Sequence, residues 1–319
     1  MIISRITMGL GNQMFQYAAG LALSLEKNVE LKLDVFSYNG YKLRKYELDN
    51  FFNINNRKAT QEEIAKYDYN HPVKRGWNRI FPGRKMRTIG LPYEEPFLQR
   101  TLLSIHDLLL PSHQRKTYLE PHYHYDRNFF QAKDDVYLNG YWMSWKYFKK
   151  YDEVIRNAFS IKRELVSHLD DFVQAIRQVN SVSLHIRRTD YTDPEVVQLK
   201  GITPVQYYLD AVQYIQQKRD DIVIYAFSDD ISWAKENLKP GGLKIHFVDH
   251  MVSNSAIEDF YLMTQCGDNI ITNSTFSWWA AYLNGNENKI VVCPKKWYSK
   301  SSHYNYKDVY PTSWVTIDN

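Results

Sequence analysis

The stretch Ser181-Val-Ser-Leu-His-Ile-Arg-Arg-Thr-Asp190 alternates polar and apolar side chains as far as Ile186 and then turns basic. Apolar residues at 182, 184 and 186 have the period of a half-buried β-strand. With the strand carried on through Arg187, His185 and Arg187 share its polar face. Arg188 and Asp190 then follow at its carboxyl end, where open α/β sheets place ligands. Two adjacent guanidiniums make a good diphosphate receptor, because each presents a planar fork of donors. The stretch therefore predicts a strand that ends in a site for a phosphorylated leaving group.

Strand and helix signals alternate on the carboxyl side of this segment. Thr203-Pro204 reads as N-cap and first-turn proline of a helix whose apolar stripe is Val205, Tyr208, Leu209, Val212 and Ile215. Ile222–Phe227 reads as a short buried strand ended by Ser228-Asp229-Asp230, and 245–248 as another strand. Ser255-Ala-Ile-Glu258 is a capping box opening a helix that Gly267 ends. A strand at 270–272, a helix around Trp278 to Leu283 and a strand at 290–293 complete the series. Such alternation predicts a parallel sheet covered on both faces, a Rossmann-like domain.

The amino-terminal half begins in the same way. Ile2 to Ile6 is a strand, Thr7-Met-Gly-Leu-Gly-Asn12 a loop, and Met14, Tyr17, Ala18, Leu21 and Leu25 one face of a helix, with a second strand at 29–33. From about 40 to 135 the signal is mixed. The domain junction is expected near 150–165, giving an N-terminal domain over 1–155 and a C-terminal one over 156–319, with the last residues free to pack back on the first.

Composition bounds the function classes. A formal charge of +4 on 319 residues is too small to imply a nucleic-acid partner. Between 71 and 90 six basic residues (Lys74, Arg75, Arg79, Arg84, Lys85, Arg87) occur with no acid, which reads as a solvated loop or as a contact for an anionic membrane surface or nucleotide. Two cysteines, Cys266 and Cys293, offer no disulfide framework and fit a reducing compartment. No apolar run reaches the ~18 residues needed to span a bilayer. Met1-Ile-Ile-Ser-Arg5 also lacks the order of a signal peptide, so a cytoplasmic protein is expected. The 25 tyrosines and 8 tryptophans serve core packing, sugar stacking, or both.

Three further constellations carry chemistry. Gly9-Leu-Gly11-Asn12 joins a strand to a helix and reads either as a tight turn or as an anion cradle at the helix N-terminus; it has neither the dinucleotide fingerprint nor a P-loop lysine. Asn273-Ser274-Thr275 repeats that junction with hydroxyls that can cap the helix, bind phosphate, or do both. Asp229 and Asp230 can bond ribose or base, or cap the next helix. No D-x-D triplet occurs, so the arginines and not a metal clamp are expected to supply positive charge. His122-x-His124 has metal-compatible spacing, but two ligands do not make a site, and no metal or other cofactor is expected.

Four ordered motifs, G-L-G-N-Q-M-F-Q-Y-A (Gly9–Ala18), H-I-R-R-T-D (185–190), F-S-D-D (227–230) and N-S-T-F-S-W-W-A-A (273–281), resemble the α-1,2-fucosyltransferase family nearly end to end. The family usually has Gly where Met8 stands. The resemblance implies a GT-B-type fold, two Rossmann-like domains facing a central cleft, with GDP-fucose held mainly by the C-terminal one. It implies metal-independent inverting transfer of L-fucose from GDP-β-L-fucose to O2 of a terminal galactose in a glycan. By motif, Arg187 pairs the β-phosphate, Arg188 supports it and His185 contacts the nucleotide; Asp259, outside the four motifs, resembles the position that bonds guanine in the more distant α-1,6 relatives. Gly11 and Asn12 lie near the pyrophosphate and fucose across the cleft. Asp190 is the candidate base for the acceptor hydroxyl, its other role being to orient an arginine by a salt bridge. His122, Tyr123, Tyr125, Asp126 and Trp142 are candidate acceptor contacts, since aromatic rings stack on a pyranose. Competing readings are another linkage or acceptor for the same donor, and a non-catalytic glycan-binding protein.

Overall fold

The computed structural model describes residues 1–40, 44–68, 79, 116–121, 124–188, 201–239, 241–298 and 306–319. The chain forms two compact units. One comprises Met1–Asn50, Ile54–Phe159 and Tyr306–Val309; the other comprises Phe51–Asn53, Ser160–Asn305 and Tyr310–Asn319.

In the first unit, strand β1 (Ile2–Arg5) leads into helix α1 (Leu10–Lys27) and then β2 (Leu31–Asp34). Helices α2 (Gln61–Asp68) and α3 (Asp152–Ala158) flank strands β3 (Thr117–Leu119) and β4 (Val136–Asn139). The sheet order is β2-β1-β4-β3, all parallel. Ser4 on β1 bonds the Gln16 carbonyl of α1 at 2.8 Å, and a Cβ at Gly20 would lie 2.8 Å from the Ser4 Cβ. Gly20 thus lets the helix settle directly on its strand. The late segment 306–309 belongs to this unit because Asp308 accepts from Tyr125 N–H at 3.2 Å and pairs with Lys146, while its carbonyl accepts from Ser144 Oγ at 2.9 Å.

In the second unit, α4 (Asp170–Arg177) precedes β5 (Asn180–Ile186), α5 (Val205–Gln216), β6 (Ile222–Ser228), α6 (Ile231–Asn237) and β7 (Lys244–Phe247). There follow α7 (Ala256–Gln265), β8 (Asp268–Ile270), α8 (Thr275–Leu283), β9 (Val291–Pro294) and β10 (Val315–Ile317). The six strands are parallel in the order β10-β9-β8-β5-β6-β7. The core gathers Val182, Leu184 and Ile186 of β5, Ile224 and Ala226 of β6, and Tyr208, Val212 and Ile215 of α5. Truncating a fully buried member such as Leu184 to Ala should cost about 2–5 kcal/mol.

The structure corrects three local expectations. β5 is central and buried on both faces, not half-buried: Ser181 accepts from Gly267 N–H at 2.9 Å and Ser183 from Asn269 Nδ2 at 2.6 Å. Pairing across the sheet, not water, satisfies its polar positions. Pro204 and not Thr203 is the N-cap of α5; the buried Thr203 hydroxyl bonds Thr272 at 2.8 Å instead. Ser255 does cap α7 by position, but its side chain makes no capping bond, and Glu258 accepts from Asn254 N–H at 2.8 Å, one residue before the expected partner.

Candidate active site

Strand register decides what meets at the carboxyl edge of the second sheet. His185 pairs with Phe227, Ile186 with Ser228, and Leu184 with Ile270. The segments 187–188, 229–230 and 271–275 therefore leave three neighbouring strands side by side, β5 being the middle one. This is the edge at which parallel α/β sheets bind ligands.

Asp229 organises the arginines there. Its Oδ2 lies 3.2 Å from Arg187 Nε and its Oδ1 accepts from the Arg188 backbone N–H at 2.8 Å. Asp230 does different work, accepting from Trp233 N–H at 3.0 Å as N-cap of α6. The two acids thus differ: Asp230 caps α6, and Asp229 holds the arginines. The Arg188 guanidinium carbon sits 3.8 Å from the centroid of the Trp233 ring, and its Nε is buried without a hydrogen-bond partner. Trp233 was not among the residues singled out from sequence. The N-cap at Asp230 placed a ring in the first turn of a helix, but nothing local indicated that an arginine would lie over it.

His185 is nearly inaccessible, and its Nδ1 has no hydrogen-bond partner. Burial, reinforced by the Arg187 charge, pushes its pKa down to about 3 against the opposing pull of Asp229, so the imidazole is neutral. Its ring lies 5.8 Å from that of Phe276 on α8. Asp259, partly buried on α7, is pushed up to about 6, chiefly by desolvation and in spite of a bond from Ser253.

At the start of α8 the residues divide. Asn273 is buried, its Oδ1 accepting from Thr203 at 3.3 Å and Thr272 at 3.1 Å and its Nδ2 donating to the Trp297 carbonyl at 3.2 Å. These bonds tie it to its own unit, so its expected donor contact gives way to a scaffolding role. Ser274 is the N-cap by position yet its hydroxyl makes no capping bond, which leaves it and the half-buried Thr275 at the positive end of the helix. Trp278 and Trp279 are fully buried, as expected of packing residues.

In the first unit the loop before α1 is held from within. Gln13 donates to the carbonyls of Met8 (3.0 Å) and Lys45 (2.8 Å) and accepts from Glu47 N–H, while Gln16 accepts from Thr7 N–H at 2.8 Å. Gly9 is the N-cap; Gly11 is buried and Asn12 half-buried in the first turn. Met8 has φ 69°, the left-handed region, at the position where the resembled family carries Gly. Arg44, not anticipated, lies over this turn, its Nε 3.8 Å from where a Gly9 Cβ would be.

Among the acceptor candidates, two are corrected. Trp142 is fully buried among Tyr118, Phe129 and Tyr147, with centroid separations of 5.9, 5.1 and 5.4 Å in tilted and edge-on contacts, so its ring packs on protein and not on a sugar. Asp126 is buried, accepting from Tyr118 OH and from Asn128 N–H at 3.0 Å, and supports its own loop. Tyr125 stays half-buried against Tyr147. Asp190, His122, Tyr123 and all of the basic stretch 71–90 except Arg79 lie outside the described residues. Among the described residues no cluster of three or more His, Cys, Asp or Glu is arranged to hold a metal ion, and no helix is long and apolar enough to cross a membrane.

Two parallel α/β units, one of them with paired arginines at the carboxyl edge of its sheet, are the parts of a GT-B-type glycosyltransferase. Residues 98–318 match the model of glycosyl transferase family 11, and the chain belongs to that family. It is 31% identical over 99% of both chains to an Alpha-1,2-colitosyltransferase of Escherichia coli. It is also 32% identical, over 98% of this chain and 99% of the relative, to the O-antigen biosynthesis glycosyltransferase WbnK of the same organism. A Galactoside alpha-(1,2)-fucosyltransferase 2 of Sus scrofa is 29% identical over 48% of this chain and 46% of its own. In fold it is similar to the fucosyltransferase NodZ from Bradyrhizobium, with a TM-score of 0.54 and 14% identity over 88% of this chain and 91% of that one.

Proposed function

We propose that this glycosyltransferase moves L-fucose from GDP-β-L-fucose to O2 of a terminal galactose in a glycan, with inversion to an α-linkage. The observation that carries this reading is the Asp229 tether, which fixes two consecutive arginines at the carboxyl edge of β5. As the sugar–oxygen bond breaks, negative charge grows on the diphosphate. Arg187 meets the β-phosphate and Arg188 supports it, with the Ser274 and Thr275 hydroxyls and N–H groups at the start of α8 adding donors. Neutral His185 meets the nucleotide through the imidazole, and Asp259 accepts from guanine. Gly11 and Asn12 keep the sugar-side role that the resemblance gives them, and Tyr125 stays an acceptor candidate as an aromatic ring suited to a pyranose. With guanidiniums supplying the charge, no metal is needed. Asp190 is the proposed base for the acceptor hydroxyl. The setting is cytoplasmic, with the 71–90 stretch able to touch an anionic membrane surface.

The full-length colitosyltransferase relative favours a second reading of the donor sugar, in which colitose takes the place of fucose. Both donors should be offered in EDTA with lactose as acceptor, to wild type and Arg187→Ala, and the product linkage read by NMR. An α-1,2 fucosyl product, lost at least a hundredfold in the variant, supports the fucose reading. A colitosyl product alone replaces the sugar and keeps the chemistry. Failure to bind GDP removes the nucleotide-sugar reading altogether.

A further inference from the structure

Trp233 occupies the first turn of α6, three residues after the N-cap Asp230, which accepts its backbone N–H at 3.0 Å. Its ring lies against the guanidinium of Arg188, 3.8 Å from the guanidinium carbon. The Arg188 backbone N–H is held by Asp229 at 2.8 Å. One arginine is thereby fixed at both ends by a single strand-to-helix junction, its main chain by the acid that ends β6 and its head by the ring that opens α6.

Stacking has a definite consequence for a guanidinium. All five N–H donors lie in its plane, so a ring against one face restrains the tilt of the plane and leaves the donor edges directed outward. The Nε of Arg188 is buried and has no hydrogen-bond partner. Leaving that donor unmatched is costly, and the ring against the guanidinium face is what holds the half-buried side chain there. Trp233 also borders the hydrophobic core of its unit, so packing alone would account for its presence but not for the arginine laid across it.

We propose that Trp233 is a positioning residue of the donor site, holding the plane of Arg188 so that its in-plane N–H donors meet an oxygen of a nucleoside diphosphate. The proposal rests on the donor reading above. It acts on the diphosphate and not on the base, and it acts through Arg188. These two properties separate it from a merely structural role.

The test measures GDP and GMP binding by calorimetry on the full chain, for wild type, Trp233→Phe, Trp233→Leu, Arg188→Ala and the double variant Trp233→Leu/Arg188→Ala. Trp233→Leu should weaken GDP about tenfold, equivalent to about 1.4 kcal/mol, and GMP by less than about twofold. In the Arg188→Ala background the same substitution should have almost no further effect on GDP. Trp233→Phe keeps a weaker aromatic face with little change in packing and should give a loss of about two- to threefold confined to GDP; it carries the test should Trp233→Leu fail to unfold cooperatively. Equal losses for GDP and GMP, additive effects of the two substitutions, or unchanged GDP affinity would each overturn the positioning role while leaving the donor reading intact. A wild-type chain that binds neither nucleotide would overturn both.

Discussion

Asp259 is a carboxyl group held at a cost to stability. Burial raises its pKa from an ordinary 3.8 to about 6, so between those values the folded chain binds a proton that the unfolded chain has lost. The sign follows directly. The group contributes most favourably below pH 3.8 and loses that contribution as pH rises to 6, leaving the ionised carboxylate costing roughly 3 kcal/mol at pH 7 and about half that at pH 5. Asp259→Asn preserves shape and removes the charge. It should therefore raise the unfolding free energy at pH 7 by up to about 3 kcal/mol, and by about 1.4 kcal/mol less at pH 5. If the carboxylate serves the guanine base, the more stable variant should also bind GDP at least tenfold more weakly, because a buried charge-assisted hydrogen bond is worth about 1.5–3 kcal/mol. Urea unfolding of both chains at pH 5, 6 and 7, with GDP titrations at pH 7, reads both quantities. A stability difference that does not grow with pH would refute the burial argument. A stabilised variant with undiminished GDP affinity would refute the functional one.

His185 has the opposite sign. Its folded pKa of about 3 lies below the unfolded value of 6.5, so stability is present above pH 6.5 and is lost as pH falls toward 3, by about 2 kcal/mol between pH 6.5 and 5. His185→Gln should flatten that slope in pH-dependent urea unfolding. Asp229→Ala removes one carboxylate from two arginine contacts. With both partners partly buried, the loss should fall between that of an exposed and a buried pair, about 2 kcal/mol or a thirtyfold drop in kcat/KM, with little change in Tm. Met8→Gly should stabilise the chain by about 0.5–1 kcal/mol in urea unfolding, because the left-handed penalty of about 1–2 kcal/mol exceeds the extra entropy that glycine loses on folding.

Strands and helices of the second unit were legible because hydrophobic periodicity is local, and so was the clustering of H-I-R-R, F-S-D-D and N-S-T at one sheet edge. Polar satisfaction was not legible. Ser181 and Ser183 suggested a wet strand face, yet their partners Gly267 and Asn269 stand more than eighty residues away. The same limit misplaced Asn273, whose amide is occupied by Thr203, Thr272 and Trp297. Trp142 shows a second limit. An aromatic ring suits a sugar or a core equally well by composition, and only its enclosure by Tyr118, Phe129 and Tyr147 decides. In the first unit, Met8 stood out as a departure from a glycine position before its φ of 69° explained why glycine suits that place.

The electrostatics of the second unit explain why the two acids after β6 had to take separate tasks. Had both Asp229 and Asp230 turned toward the arginines, they would have matched the two guanidiniums and left little attraction for an anion. Because Asp230 is committed to the α6 cap and His185 is kept neutral, Asp229 adds one negative charge beside two positive ones, a positive balance among these described residues. The tether orients the arginines by meeting Arg187 at its Nε and Arg188 at its backbone N–H. A diphosphate arriving at this edge relieves the repulsion between adjacent guanidiniums as well as making its own bonds. Nucleotide affinity and chain stability should therefore be linked, with saturating GDP at about a hundred times its Kd adding close to 2.7 kcal/mol to unfolding. An Asp230 variant that frees the cap would disturb this balance through the helix that carries Trp233, and not by touching phosphate.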